Sequence, residues 1–438
     1  MALIESPEFE RRIGIRFYAT KTEGLGGDIK RKPSDFIVRE ITNREEKAEG
    51  KYLIAELTKE NWETHSVIRE ISRRLGVSRN RIGFAGTKDK NAVTTQKISI
   101  WDMHEEALER VKIADVALKK LGRSNKPVSL GDLYGNEFEI VIRGIDGAEE
   151  ELKAKIAACS REIAGAGGVP NFFGVQRFGI NRPITHVVGK RLIRGELKEA
   201  VMSYLADIFL AEGEDAKRAR MLCQGGQLKE GLRQMPSFLR YEKAILNELV
   251  KTGTEPDFLA AFSALPADLQ KMFVHAYQSY LFNLVLSSRM EQDIPLNEAL
   301  VGDVVCFRNE FGLANPDKVE RVTEGKIEGI NRLIQHGRAF VTASVFGYAT
   351  EFAAGVAGEI ERKVLEACDV ELNEFYIKDM PKMSSKGTRR AILAPVKLSA
   401  EGVTGDDMNP ARKRMKLKLR FFLPKGSYAT VVLREYMK

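Results

Sequence analysis

The feature that most constrains the fold is a change of hydrophobic period along the chain. Segments alternating with period two lie toward both ends, and helical patterns crowd the middle. Residues 30–40, 51–59 and 137–143 read as strands, and 415–421 alternates cleanly between a basic and an apolar face. The basic face of 415–421 also suits an edge strand, where lysines deter aggregation. Helices dominate 196–289, with a long one over 267–289; strands at 301–307 and 339–345 and helices at 326–335 and 358–366 follow. Beyond Arg390 strands return. With 438 residues there is room for two or three domains and a large core. Such a pattern belongs to a mixed α/β protein.

Between the early strands, Thr64 suits an N-cap, Val67, Ile68, Ile71 and Leu75 share one helical face, and Gly76 ends the helix. Arg69, Arg73 and Arg74, followed by Arg79 and Arg81, form either a solvated face or a ridge for phosphates. Next comes GFAGTKDKNAVTTQ, residues 83–96, which reads as strand, tight loop and strand. It holds one carboxylate, Asp89, between Lys88 and Lys90. A loop of this kind can present one side chain to a cleft, or it can be a solvated turn. The helix at 148–165 leads into GAGGVP, which is no dinucleotide loop: it follows a helix, and Pro170 breaks the glycine spacing.

The chain carries 69 Lys and Arg against 61 Asp and Glu, a formal charge of +8 and a pI of about 9.1. That balance favours a polyanionic partner. Cys159, Cys223, Cys306 and Cys368 have neither CxxC nor zinc-like spacing, so free thiols in a reducing cytoplasm are expected. The first residues lack the apolar core of a signal peptide, and no apolar run reaches about 18 residues. Lys382–Lys386 (KMSSK) resembles an ATP-site loop of tRNA ligases, but no HIGH-type motif accompanies it. Gly86-Thr87-Lys88 lacks the P-loop spacing, and the five histidines form no nucleophile motif.

GTKDKNAVTTQ resembles the aspartate-bearing segment of the TruD family of tRNA pseudouridine synthases. The similarity extends to KRKPSDFIVRE (30–40), NFFGVQRFG (171–179), AYQSYLFN (276–283), SKGTRR (385–390) and LPKGSYAT (423–430). These blocks stand in family order over nearly the whole chain. The resemblance implies an α/β fold in which residues 1–181 and 390–438 form one split catalytic domain with a mostly antiparallel sheet. Residues 182–389 would be the inserted α/β domain. It further implies conversion of uridine to pseudouridine in tRNA, at the uridine called position 13, with no cofactor and no metal. The protein would act as a cytoplasmic monomer.

On the same resemblance Asp89 is the catalytic acid group. It has to be ionised yet shielded from water, and burial disfavours a charge unless a cation lies near. Lys88 and Lys90 point away from it on an extended segment, whereas Lys30 matches a family lysine at the site. Phe173 would stack on the target base and Asn171 would hydrogen-bond beside it, and Arg177 is a candidate for contact with the RNA backbone or for support. Flipping a base costs a few kcal/mol and one aromatic stack returns about 1–3 kcal/mol, so phosphate contacts must supply most of the affinity. A non-catalytic RNA-binding protein and an ATP-dependent tRNA ligase are the rival readings.

Overall fold

Apolar alternation near the two ends of the chain builds one large sheet. In the computed structural model, which describes residues 3–251, 256–408 and 413–438, the first stretch supplies six strands. They are β1 (Phe36–Thr42), β2 (Tyr52–Glu60), β3 (Ile82–Phe84), β4 (Val93–Trp101), β5 (Val116–Ser124) and β6 (Leu133–Ile145). Two helices, α1 (Thr64–Leu75) and α2 (Glu149–Gly165), come from the same stretch. A mainly helical middle follows, including α3 (Ala267–Glu291) and the strands β7 (Val304–Arg308), β8 (Ala314–Arg321), β9 (Ala339–Val345) and β10 (Thr388–Ala391). The chain ends with β11 (Lys397–Gly405), β12 (Met415–Pro424) and helix α4 (Ala429–Met437).

Two compact units result. One comprises Ala19–Val169, Asn309–Leu313 and Ala394–Lys438; the other comprises Met1–Tyr18, Pro170–Arg308 and Ala314–Leu393. The first unit holds an eight-stranded sheet in the order β11-β12-β6-β1-β4-β2-β5, with β3 added beside β4. Its pairings are antiparallel except that β1 runs parallel to β4. Helix α1 covers one face: Val67, Ile68 and Ile71 pack with Leu53, Ala55, Leu57, Ile98 and Ile100, all fully buried. Each such Val, Leu or Ile side chain contributes at most roughly 1.5–3 kcal/mol, so this layer anchors the strands on which the site is built.

Three expectations change on inspection. Residues 30–35 are not strand: Pro33 starts a 3-10 turn at Pro33–Asp35, and β1 begins only at Phe36. The cause lies in Pro33, which donates no hydrogen bond, and in Asp35, which is drawn inward to the buried Arg143 at 2.8 Å. Strand β12 is not an edge strand, because β11 and β6 flank it. Its basic residues are matched instead by cross-strand acids, with Arg420 2.7 Å from Glu139 and Lys418 2.6 Å from the same carboxylate. Thr64 is the first residue of α1 rather than its cap. Glu63 takes that place, accepting from the amides of His65 and Ser66, and the Thr64 hydroxyl is left for other work. Gly76 ends the helix with φ 67°, where a side chain would be strained.

The second unit is organised around α3, whose residues Phe273, Tyr277, Leu281 and Phe282 are at most 1% exposed. A helix apolar on most sides belongs inside, and other helices and the sheet β10-β9-β7-β8 surround it. Strand β8 is mostly exposed and polar, so it carries no apolar alternation by which sequence could announce it. Both units fit a mixed α/β fold with mostly antiparallel sheets.

Candidate active site

Asp89 lies in the loop between β3 and β4. The loop exists because two strands compete for one edge of β4: β1 pairs with residues 93–95 and β3 with residues 98–100. Between them the main-chain amide of Lys97 is left over, and the carboxylate of Glu40 accepts from it at 3.3 Å. The other Glu40 oxygen takes Lys88 Nζ at 2.7 Å. Lys88, expected to point away from Asp89, is therefore a buried member of the loop's floor.

The loop is fastened from below at several points. Gln96 Nε2 donates to the carbonyl of Gly86 at 3.2 Å, and Gly86 itself has φ 99°, open to glycine. The Thr64 hydroxyl accepts from Lys88 N at 2.9 Å and donates to Lys88 O at 3.3 Å. Lys59 Nζ donates to the carbonyl of Asp89 at 2.9 Å and to that of Trp62 at 2.7 Å. Ala85 and Ala92 at the two ends are fully buried. A short loop with this many anchors holds its exposed side chain on a rigid base.

Lys30 Nζ lies 2.9 Å from Asp89 Oδ2, and the same ammonium sits 4.1 Å from the centroid of the Phe36 ring. Asn91 Nδ2 donates to the carbonyl of Lys30 at 3.1 Å, tying the two segments a second time. The Lys30 backbone has φ 59°, a left-handed conformation that costs about 1–2 kcal/mol for a residue with a side chain. The Asp89 side chain is 42% exposed and that of Lys30 20%. An ion pair this open to water adds only about 0–1 kcal/mol to stability. Strain and gain roughly cancel, so folding alone does not account for the geometry. The expected dry notch is not what the fold makes: the carboxylate has a cation beside it, itself backed by the Phe36 ring, but it stays open to solvent.

The other predicted residues belong to the second unit. Asn171 is 8% exposed, and its side-chain amide donates to the carbonyl of Ala391 at 2.8 Å. Its Oδ1 accepts from Arg390 Nη2 at 2.6 Å, and Arg390 Nε donates to its main-chain carbonyl at 3.1 Å. The Arg390 guanidinium also lies over the Phe173 ring, 4.2 Å from its centroid. Phe172 is fully buried while its neighbour Phe173 is half-buried, edge-on to Phe282 with centroids 5.4 Å apart. Asn283 holds Phe173 by both main-chain groups, at 2.8 and 3.0 Å. Arg177 Nε donates to Ser279 Oγ at 3.3 Å. Asp89 and Lys30 thus come together in one unit, and Asn171 and Phe173 gather around Arg390 in the other, with Arg177 nearby.

Reading the sequence residue by residue missed Lys59, Glu40, Phe36 and Arg390. One cue was present: Lys59 continues the buried register Leu53, Ala55, Leu57 on β2, and a lysine on an apolar face demands a partner. Glu40 shows no such cue, because its role depends on where β1 leaves β4.

Comparison with known proteins gives this arrangement its context. The family model described as tRNA pseudouridine synthase D (TruD) matches residues 12–436. A protein of Methanococcoides burtonii named probable tRNA pseudouridine synthase D is 51% identical over 99% of this chain and 98% of its own. A protein of Pyrococcus furiosus with the same name is 41% identical over 97% of this chain and 99% of its own. A crystal structure of the putative tRNA pseudouridine synthase D from Methanosarcina mazei matches with a TM-score of 0.86. It is 51% identical and covers 99% of this chain and 98% of that one. The chain is a pseudouridine synthase by family, an isomerase that converts uridine to pseudouridine. Within that class it belongs to the tRNA pseudouridine synthase D (TruD) family.

Proposed function

We propose that this protein converts uridine to pseudouridine in tRNA, at the uridine called position 13, and that Asp89 is the reacting acid group. Pseudouridine formation breaks the C1′–N1 bond, turns the freed uracil and rejoins it through C5. Every atom is conserved and no electron is gained or lost, so the chemistry asks for no cofactor and no metal. It asks for a charged carboxylate at the sugar or the base, with a cation to compensate it once RNA excludes water. The contact of 2.9 Å between Lys30 and Asp89, kept despite a strained lysine backbone, carries this reading.

In this reading the unit holding Asp89 is the catalytic body, and residues of the middle stretch form the inserted domain. The target uridine flips out of the tRNA, Phe173 stacks on it, Asn171 bonds beside it, and Arg177 contacts the RNA backbone. No helix among the described residues is long and apolar enough to cross a membrane, and the protein acts in the cytoplasm as a monomer. The test is incubation with unmodified tRNA transcripts, followed by mapping of pseudouridine at single-nucleotide resolution. Pseudouridine at position 13 with the parent protein, and none with Asp89→Ala, is the expected result. Modification confined to another position overturns the substrate assignment, and turnover by Asp89→Ala overturns the role of Asp89.

A further inference from the structure

We propose that Lys59 is a positioning residue for Asp89, its buried ammonium group clamping the main-chain carbonyl of Asp89 and thereby fixing where the carboxylate points. This rests on Asp89 being the reacting acid. Lys59 is fully buried, in register with Leu53, Ala55 and Leu57 on the face of β2 that α1 covers. A methionine there would fill similar space with no charge to desolvate. Instead a lysine is kept, and no carboxylate among the described residues lies within ion-pair distance of it. What it binds is main chain, the carbonyls of Asp89 at 2.9 Å and Trp62 at 2.7 Å.

The consequence is geometric. Two peptide planes flank the Cα of Asp89, and their orientations set its φ and ψ. Thr64 Oγ1 donates to the carbonyl of Lys88 in the first plane at 3.3 Å, and Lys59 holds the carbonyl of Asp89 in the second. Both soft dihedrals of Asp89 are thus held from below while its side chain stays open on the other side. Burial pulls the Lys59 ammonium down to about 8, opposed by the charges of Asp89 and Glu63 and assisted by Lys88. A neutral amine still has two N–H groups, enough for both carbonyls, so the clamp survives loss of one proton.

The test is Lys59→Met, measured by single-turnover pseudouridine formation, RNA binding and melting temperature. A displacement near 1 Å at a reacting group costs on the order of 10²-fold in rate. The expected result is a rate lower by about that factor, with RNA affinity within about twofold of the parent. A core variant, Leu57→Ala, controls for lost stability, since it destabilises the same layer without removing a hydrogen bond to the loop. A Lys59→Met rate within about threefold of the parent overturns the proposal. So does a rate loss equalled by Leu57→Ala at matched folded fraction. Should Lys59→Met fail to fold, Thr64→Val reads the other plane: a rate lower by about tenfold supports the proposal, and an unchanged rate overturns it. Asp89→Asn, run alongside, separates the two readings. Its turnover at the parent rate fails the role of Asp89 itself, whereas an inactive Asp89→Asn with an unimpaired Lys59→Met fails this inference alone.

Discussion

Glu40 and Lys88 meet at 2.7 Å beneath the Asp89 loop, with side chains 0% and 7% exposed. The pair plugs the gap on β4 between its two competing neighbours and carries the loop on top. Removing one partner strands a buried charge, which costs about 3–5 kcal/mol. Glu40→Gln and Lys88→Met should each lower the denaturation midpoint by a corresponding amount. The double variant Glu40→Gln, Lys88→Met leaves no stranded charge and still offers the Lys97 amide an acceptor, so it should recover much of the stability but not the rate. Singles that melt with the parent would show that the pair does not support the fold.

Lys30 should behave in the opposite way. Its ion pair is open and its backbone strained, so Lys30→Met should change stability by no more than about 1 kcal/mol. Removing a charge aimed at the reacting group typically costs about 10²–10³-fold in turnover. Steady-state kinetics beside a urea melt would distinguish these effects. A variant that loses stability in step with activity would make Lys30 a structural residue.

Phe173 and Arg177 should separate by their response to salt. Phe173→Leu keeps most of the apolar volume against Phe282 but offers no ring face to a base. A stack of about 1–3 kcal/mol corresponds to roughly a 5- to 150-fold loss in kcat/KM, with the salt dependence of binding unchanged. Arg177→Gln should instead flatten the plot of log affinity against log salt by about one unit, if that guanidinium neutralises one phosphate. Equal slopes for Arg177→Gln and the parent would remove Arg177 from the RNA contacts.

His186 predicts an acid limb in stability. The residue is 8% exposed, its ring edge-on to Phe178 and stacked on Tyr280, and its Nδ1 has no hydrogen-bond partner among the described residues. Burial lowers its pKa from 6.5 to about 4. Between those values the unfolded chain binds a proton that the folded chain refuses, so stability falls as pH drops from 6.5 toward 4. The loss approaches about 3 kcal/mol at the lower end. His186→Phe should melt with a shallower dependence over that window. Parallel pH profiles for the two proteins would contradict this account.

How much of this was legible in the sequence depended on the range of the interaction. Helix α1 could be read to its last residue, because an apolar face of period 3.6 and a glycine with positive φ are local facts. The strand, loop and strand around Asp89 were legible for the same reason, and the TruD resemblance marked Lys30 as that loop's distant partner. Sequence also exposed Phe172 and Phe173 as a pair, but not which of them would be buried.

Apolar alternation and helix-ending glycines marked segments such as α1, β4 and β12, since each of these is decided within a few neighbouring residues. Tertiary structure alone decided that β12 would lie inside the sheet, that Arg390 would cover Phe173, and that Glu40 would fill the gap on β4. It also decided that Lys59 would reach the carbonyl of Asp89. Each of these depends on which strand edges meet and which buried polar groups are left needing a partner, and a strand's own pattern is silent about its neighbours.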